Sequence, residues 1–174
     1  CYFINGVAAR RRVAVDLSDT VRQAAASGVE TVVGDALEAL RAMPAAEFDF
    51  VFASNFLEHF EWPVLDAMAS EIRRVLKPGG RLGLVQPNFR LQPGRYFDDY
   101  THRAIFTDVS LGDWLAASGF RVTTMVPRFL PLTVKSFGRG SSCGMTRSGS
   151  ALISATNGRA IKMVYSESNC PRLT

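Results

Sequence analysis

The sequence predicts an α/β domain built on a doubly wound, mostly parallel sheet. From residue 2 to about residue 134, short apolar segments alternate with segments of helical period, and this alternation is typical of a parallel sheet covered by helices. The segment Phe48–Ser54 is apolar except for Asp49, as expected of a strand buried on both faces. The longest helical segment is followed by Pro-Gly-Gly at 78–80, which predicts a firm helix end.

Each element has a local reason. Strands are assigned to short apolar runs, and helices to segments in which apolar residues recur every three or four positions. Ser18 or Asp19 can cap the second helix, and Pro63 suits the first turn of the longest helix. In chain order the predicted elements are helix 2–9, strand 12–16, helix 19–26, strand 31–33, helix 36–41, strand 48–54, helix 63–76, strand 81–86, helix 111–118, strand 120–127 and a candidate final strand at 160–165.

Length and composition favour one domain. The chain has 174 residues, of which 47% are apolar and 21% charged, so a single core is expected and wholesale disorder is excluded. No apolar run reaches the roughly 18 residues of a membrane span, and no secretory signal is visible. The three cysteines, Cys1, Cys143 and Cys170, are too widely spaced to indicate a zinc site or a disulfide framework. A cytoplasmic location is expected.

The net charge of +4 does not indicate a nucleic-acid partner. Residues 135–174 hold six Lys or Arg against one acid, which leaves 14 basic and 15 acidic residues in 1–134. The predicted domain is therefore nearly neutral and lacks the basic surface that nucleic acid requires. No membrane partner is predicted either, and the sequence does not indicate an oligomeric state.

Four segments together resemble a known family. Asp16 and Asp35 each end a predicted strand, and a carboxylate placed there can accept two hydrogen bonds from the vicinal diol of a ribose. Residues 48–59 read FDFVFASNFLEH and residues 75–82 read VLKPGGRL, and these two are the more specific. Over residues 2–135 the series resembles the class I S-adenosylmethionine-dependent methyltransferases.

The resemblance implies a Rossmann-like sheet. In the family, a first strand and a glycine-rich loop precede the segment that begins at Cys1, so the chain is expected to be truncated at its amino terminus, with the first strand missing. The strand at 120–127 would lie in an antiparallel hairpin at the sheet edge, with its partner near the carboxyl terminus. Residues 1–135 would be a partial methyltransferase domain, and the Ser/Gly-rich residues 136–174 a tail that is poorly ordered or not native to that domain.

The resemblance also assigns the adenosine end of S-adenosyl-L-methionine. Asp16 would hold the ribose hydroxyls, and Leu17 would lie against the adenine. Asp35 would accept a hydrogen bond from the adenine amino group, while Ala36 would donate its backbone N–H to the ring. The alternatives are local: Asp16 serves a turn, and Asp35 caps the helix that begins at Ala36.

Residues after the strand at 48–54 would lie near the methionine end of the cofactor. Ser54 and Asn55 are placed beside it, and Phe56 either packs over the sulfonium or belongs to the core. Glu58-His59 repeats a pair common in the family. His59 is a catalytic candidate, but it is expected to contact the surroundings of the cofactor or to hydrogen-bond the following loop rather than to act as a base. A Glu-x-x-Glu-His version binds a divalent metal in small-RNA 2′-O-methyltransferases; because Asn55 replaces the first Glu here, no metal site is predicted.

The loop at 96–103 is the predicted acceptor site and resembles the family's Asp-x-Thr-His segment. Tyr96 and Tyr100 are candidate substrate contacts. His102 is a candidate base, because a neutral imidazole can accept a hydroxyl proton near physiological pH, and Asp99 could orient it. The alternative is that Thr101 and His102 only brace the loop against the sheet.

The resemblance therefore implies methyl transfer to a small-molecule acceptor, most simply at a hydroxyl oxygen. Such transfer depends mainly on positioning, because the sulfonium is already an activated leaving group. One alternative is a truncated fragment without catalytic activity. A less favoured one is an NAD(P)-dependent short-chain dehydrogenase, which Asp16 would also suit; however, no tyrosine is followed four residues later by the lysine that such enzymes use.

Overall fold

The computed structural model of the chain describes residues 2–128 and 159–164. Within these ranges the chain forms five α-helices, five strands and three short 3-10 helices. In order they are α1 (Tyr2–Gly6), β1 (Arg11–Asp16), α2 (Thr20–Ala24), β2 (Val29–Val33), α3 (Ala36–Ala42), β3 (Phe48–Ser54), a 3-10 helix (Leu57–His59), α4 (Trp62–Val75), β4 (Leu76–Val85), two further 3-10 helices (Phe89–Leu91 and Pro93–Asp98), α5 (Asp108–Ala117) and β5 (Arg159–Val164).

The five strands form one sheet in the order β2-β1-β5-β3-β4, and every pairing is parallel. β1 and β2 lie on one side of β5, and β3 and β4 on the other, so the chain winds outward in both directions from the centre. Asp16 is in register with Val33 and Val164, and Ser54 with Val164 and Val85. The carboxyl ends of all five strands therefore form one row. The predicted α/β class and doubly wound parallel sheet are confirmed.

The centre of the sheet is filled by β5, which pairs with both β1 and β3. The candidate strand at 160–165 is thus confirmed as a strand, but its expected antiparallel pairing at the sheet edge is wrong. It occupies the place where the missing first strand was expected to leave the sheet incomplete. Between two neighbours a strand satisfies both rows of its backbone groups, whereas at an edge one row stays unpaired. Residues 136–158 and 165–174 of the predicted tail lie outside the described residues.

The prediction of a strand at 120–127 is wrong. These residues have no regular secondary structure, and Val122, Met125 and Val126 are exposed. A strand needs a ladder of hydrogen bonds to a neighbour, and its expected partner lies instead in the sheet centre. No antiparallel pair occurs among residues 2–128 and 159–164.

Helices cover both faces of the sheet. On one face, Ile4, Val7 and Val21 pack with Ala14 of β1. On the other face, α3, α4 and α5 pack over alternate strand residues such as Val13 and Val15 in the larger core. No helix in the described part of the chain has the length and apolar character to span a membrane. The residues predicted to share one side of α4 are all buried, which confirms that assignment: Leu65, Met68, Ala69, Ile72 and Val75.

α4 passes into β4 without a loop, and the Pro-Gly-Gly segment at 78–80 lies in the first half of β4. α4 stops at Val75, and the pairing of β3 with β4 shifts register between Phe48 and Phe50. Gly79 has a φ of 77°, and a Cβ atom on Gly80 would lie 2.9 Å from the carbonyl oxygen of Lys77. Both positions need glycine, one for its left-handed backbone and the other for its lack of a side chain. The predicted helix end is confirmed.

Candidate active site

Two acidic residues stand side by side at the carboxyl edge of the sheet. Asp16 ends β1, and Asp35 follows β2, with the N–H of Gly34 donating to the carbonyl oxygen of Asp16 at 2.9 Å. Leu17 is 41% exposed, whereas Ala36 is buried at the start of α3. In doubly wound sheets, ligands bind outside this edge, where the strand order reverses. The described chain has such a reversal between β1 and β3, on either side of β5.

Both aspartates also serve the local backbone. The Oδ1 atom of Asp16, which is 7% exposed, accepts the N–H of Ser18 at 2.8 Å. The Oδ1 atom of Asp35 accepts the N–H groups of Leu37 and Glu38 at 2.9 and 3.0 Å. The turn and capping roles are therefore confirmed. They do not exclude ligand contacts, because a carboxylate has about four lone-pair sites.

The chain leaves β3 by a sharp bend. Asn55 has a φ of 46°, and its N–H donates to the carbonyl oxygen of Val85 at 2.8 Å. Ser54 is half-buried and Asn55 exposed at the sheet edge. Phe56 is 2% exposed, and its ring centroid lies 4.8 Å from that of Phe60. The core role of Phe56 is thus confirmed, while Ser54 and Asn55 stay beside the centre of the sheet.

Three side chains converge next to this bend, and we call Glu58, His59 and His102 the histidine cluster. The Oε1 atom of Glu58 lies 3.7 Å from Nε2 of His59 and 4.0 Å from Nε2 of His102. Glu58 is only 1% exposed. One potential ligand atom from each of the three residues lies within 4.8 Å of the others. The sequence places His102 43 positions after His59, and the loop at 96–103 brings them together.

Polar neighbours hold the outer side of the cluster. The Oε2 atom of Glu58 accepts a hydrogen bond from Nε2 of Gln86 at 2.8 Å. Nδ1 of His59 lies 2.9 Å from Oγ1 of Thr101, whose hydroxyl donates to Oδ1 of Asp99. Because the one hydroxyl proton of Thr101 goes to Asp99, His59 must donate from Nδ1. Nε2 is then the ring nitrogen that faces Glu58, 3.7 Å from its Oε1.

Burial changes the acid–base behaviour of this region. Loss of solvent, with a smaller contribution from the negative charge of Asp99, raises the pKa of Glu58 from 4.5 to about 7, although Gln86 favours the charged form. Burial, followed by the charge of Glu58, raises the pKa of Tyr96 to about 12. Glu58 therefore changes charge near neutral pH, which is uncommon for a carboxyl group.

The loop at 96–103, which is the predicted acceptor loop, is attached to the sheet through Glu58. The backbone N–H groups of Arg103 and Ala104 donate to the carbonyl oxygen of Glu58 at 2.7 and 3.1 Å. Tyr96 is 4% exposed, and its hydroxyl donates to the carbonyl oxygen of Ala104 at 2.6 Å. Of the two predicted substrate tyrosines, Tyr100 presents its ring to solvent, with 65% of its surface exposed.

The sequence analysis named His59, Asp99 and His102 as catalytic candidates, with His59 near the cofactor and the other two on the loop at 96–103, and the structure brings all three close to Glu58. It assigned no role to Glu58 itself or to Gln86. The Glu-His pair was a visible signal for Glu58, but its burial depends on Gln86, 28 residues away, which no local pattern reveals. The bracing role considered for Thr101 is also present, through its contacts with His59 and Asp99.

Comparisons with known proteins point in one direction. Residues 3–84 match a family described as "Methyltransferase domain". The chain is 42% identical over 74 residues to a sterol 24-C-methyltransferase, ERG6B, of Gibberella zeae; the match covers 42% of this chain and 18% of that protein. The chain therefore spans about a fifth of this curated relative.

Two solved structures have the same fold. One is a SAM-dependent methyltransferase from Archaeoglobus fulgidus, with a TM-score of 0.54 and 20% identity, covering 69% of this chain and 64% of the other. The second is described as a putative methyltransferase from Bacillus halodurans, with a TM-score of 0.52 and 25% identity, covering 64% of this chain and 53% of the other. The first, at 20% identity, bears on the fold alone.

Proposed function

We propose that the chain is a class I S-adenosylmethionine-dependent methyltransferase that transfers a methyl group to a small-molecule acceptor, at a hydroxyl oxygen. The premise is the match of residues 3–84 to the family described as "Methyltransferase domain". One observation supports this most strongly. The ends of β1, β2 and β3 bring Asp16, Asp35 and Ser54 to a single edge, and the histidine cluster lies just beyond the end of β3.

The residues at this edge suit S-adenosyl-L-methionine. Asp16 would hold the ribose hydroxyls, and the exposed Leu17 side chain would give an apolar wall for the adenine. Asp35 and the backbone of Ala36 would contact the adenine edge. When bound, the cofactor supplies a methyl group on a sulfonium that is already a good leaving group. The chain then has mainly to position the two reactants.

Ser54 and Asn55 would complete the methionine end of the site. Both lie where the chain leaves β3 at the centre of the sheet. Phe56 is proposed to support this end from the core rather than to contact the sulfonium directly, because it is buried against Phe60.

The acceptor would lie against the loop at 96–103. Tyr100 is exposed enough to contact it, while the buried Tyr96 would set the position of the loop. A hydroxyl acceptor must lose a proton, and His102 is proposed to receive it. Oδ2 of Asp99 lies 3.9 Å from Nε2 of His102, so Asp99 would act on the ring through its charge rather than through a direct hydrogen bond. His59, which lies beside Glu58 and His102, would support this proton transfer.

The chemical class of the acceptor is inferred from the residues of the loop at 96–103, and not from the name of the relative. The sterol methyltransferase matches over 74 residues, 18% of its length, which is too little to carry a sterol specificity to this chain. The polar groups of the loop favour a hydroxylated compound. Cytoplasmic location and action without a nucleic-acid partner are part of the same proposal.

Calorimetry with S-adenosylhomocysteine tests the donor site. Asp16→Ala should weaken binding about tenfold or more, since a charged group that accepts hydrogen bonds is worth about 1.5–3 kcal/mol. Asp19→Ala is the matched control, because Asp19 is exposed and three residues away. If the unmodified chain does not bind S-adenosylhomocysteine, the non-catalytic alternative is favoured. If Asp16→Ala and Asp19→Ala bind equally, the ribose role of Asp16 is wrong.

A further inference from the structure

We propose that the histidine cluster is a binding site for one divalent transition-metal ion, with Oε1 of Glu58 and an imidazole nitrogen each from His59 and His102 as ligands. This goes beyond methyl transfer and does not depend on it; with an ion bound, His102 would hold the ion and would not act as the proton acceptor proposed above. The sequence prediction of no metal site was based on Asn55; in the structure, Glu58 and His59 of the same segment gain a third potential ligand from His102, on the loop at 96–103.

The distances fit such an ion. Zinc–nitrogen and zinc–oxygen bonds of about 2.0–2.2 Å at tetrahedral angles place ligand atoms about 3.3–3.6 Å apart. The Oε1 atom of Glu58 lies 3.7 Å from Nε2 of His59 and 4.0 Å from Nε2 of His102. The two distances from Oε1 thus exceed this range by only a few tenths of an ångström, and the potential ligand atoms of all three residues lie within 4.8 Å of one another. They are too far apart to hydrogen-bond directly.

Two buried atoms of the cluster have no hydrogen-bond partner among the described residues. They are Oε1 of Glu58 and Nδ1 of His102. Leaving a buried polar atom unsatisfied costs about 1–3 kcal/mol, and more for a charged group. The unsatisfied carboxylate oxygen is the atom that faces both imidazoles, so a cation between them would satisfy it where it lies.

The outer contacts are those that metal ligands commonly have. Histidine ligands usually donate their second N–H to a carboxylate, a carbonyl or water, and carboxylate ligands are themselves hydrogen-bonded. Here Nδ1 of His59 reaches Asp99 through the hydroxyl of Thr101, and Oε2 of Glu58 is held by Gln86. These contacts fix the His59 tautomer so that Nε2 points to Glu58. Two of the three ligands are therefore oriented before any ion arrives.

The donor set indicates the class of ion. Two imidazoles and one carboxylate suit zinc, cobalt, iron or manganese, and three protein ligands leave coordination positions open. Magnesium prefers six oxygen ligands and would be a poor fit. Because His102 lies on the acceptor loop and Glu58 follows β3, a bound ion would also connect the loop to the sheet.

Cobalt titration of the tag-free chain, after treatment with a chelator, tests the site. Both histidines of the sequence lie in the cluster, so no other imidazole competes. We expect one Co²⁺ per chain, visible d–d absorption typical of nitrogen coordination, displacement by Zn²⁺ and a higher melting temperature with metal. Absence of stoichiometric cobalt binding by the folded chain would overturn the proposal, and a water or proton shared within the cluster would then explain its geometry.

Variants assign the ligands. Glu58→Gln should weaken cobalt binding by at least the roughly 10- to 100-fold that loss of an outer partner causes, whereas Glu61→Gln, a carboxylate three positions away on the surface, should have no effect. Thr101→Val removes the hydroxyl that links His59 to Asp99 without changing any of the three ligands, and it should weaken binding about 10- to 100-fold. Binding that survives Glu58→Gln unchanged overturns the assignment. If Glu58→Gln fails to fold, Thr101→Val decides: unchanged affinity contradicts the site, and weakened affinity supports it.

Discussion

Replacing Glu58 with Gln should make the stability of the metal-free protein less dependent on pH. The folded chain holds the Glu58 proton with a pKa of about 7, compared with an ordinary value of 4.5. Below pH 4.5 the group is protonated in both folded and unfolded chains and has no differential effect. As the pH rises to about 7, the unfolded chain releases the proton first, so the folded state loses stability. Above about 7 the loss is complete.

The size of the effect follows from the two pKa values. At about 1.36 kcal/mol for each tenfold change in proton affinity, raising the pKa from 4.5 to about 7 corresponds to about 3 kcal/mol of the free energy of unfolding. Glutamine keeps the shape of the side chain and the contact to Gln86, but it cannot ionise. The stability of Glu58→Gln relative to the unmodified chain should therefore increase by about 3 kcal/mol between pH 4.5 and pH 8.

Urea unfolding in the presence of a chelator, at a series of pH values, measures this difference. Effects of other titrating groups are shared by the two proteins and cancel in the comparison. Glu61→Gln, at an exposed position, should keep the same difference from the unmodified chain at every pH. If the difference in the free energy of unfolding between Glu58→Gln and the unmodified chain stays constant across this pH range, Glu58 ionises as an ordinary surface acid does. The argument from burial would then be refuted.

Three further predictions concern the fold and the edge of the sheet at which the methyl donor is proposed to bind. Removing residues 159–174 should abolish cooperative urea unfolding, because β1 and β3 lose their shared neighbour, whereas removing only 165–174 should preserve it; equal transitions would argue against a central β5. Leu65→Ala, at a fully buried position, should cost about 2–5 kcal/mol, against about 0.5 kcal/mol or less for the partly exposed Leu91→Ala, both by urea unfolding. Asp35→Ala should cost about 1 kcal/mol through loss of the α3 cap and should also weaken S-adenosylhomocysteine binding in calorimetry; unchanged affinity would leave Asp35 with its capping role alone.

Local patterns predicted the elements whose causes are local. The buried side of α4 follows from helical spacing, and β3 was predicted at its observed bounds because a continuous apolar run leaves little choice. The positions of Asp16 and Asp35 at one edge follow from parallel winding alone. In each case the deciding information lies within a few residues of the element itself.

The pairing of β5 could not be predicted in this way. A short apolar strand reads alike at an edge or in the centre, because sequence shows which residues prefer extended backbone and not which neighbours they pair with. The strand at 120–127 was predicted from its own segment and the family pattern, and residues 160–165 were then placed at the edge as its partner; once β5 pairs in the centre, residues 120–127 have no neighbour to pair with. The burial of Glu58 was missed for the same reason, because Gln86 and His102 reach it from distant segments.

Glu58 connects three parts of the proposed site, and this affects how its variants are interpreted. Its side chain accepts from Gln86 just after β4, its carbonyl oxygen accepts from Arg103 and Ala104 of the acceptor loop, and its own position follows β3. The two loop contacts belong to the backbone, so Glu58→Gln retains them and removes only the charge. A loss of turnover in that variant with unchanged S-adenosylhomocysteine binding would therefore locate the effect in the carboxylate rather than in the position of the loop. Loss of both turnover and S-adenosylhomocysteine binding would instead mean that the histidine cluster also helps to shape the proposed cofactor site.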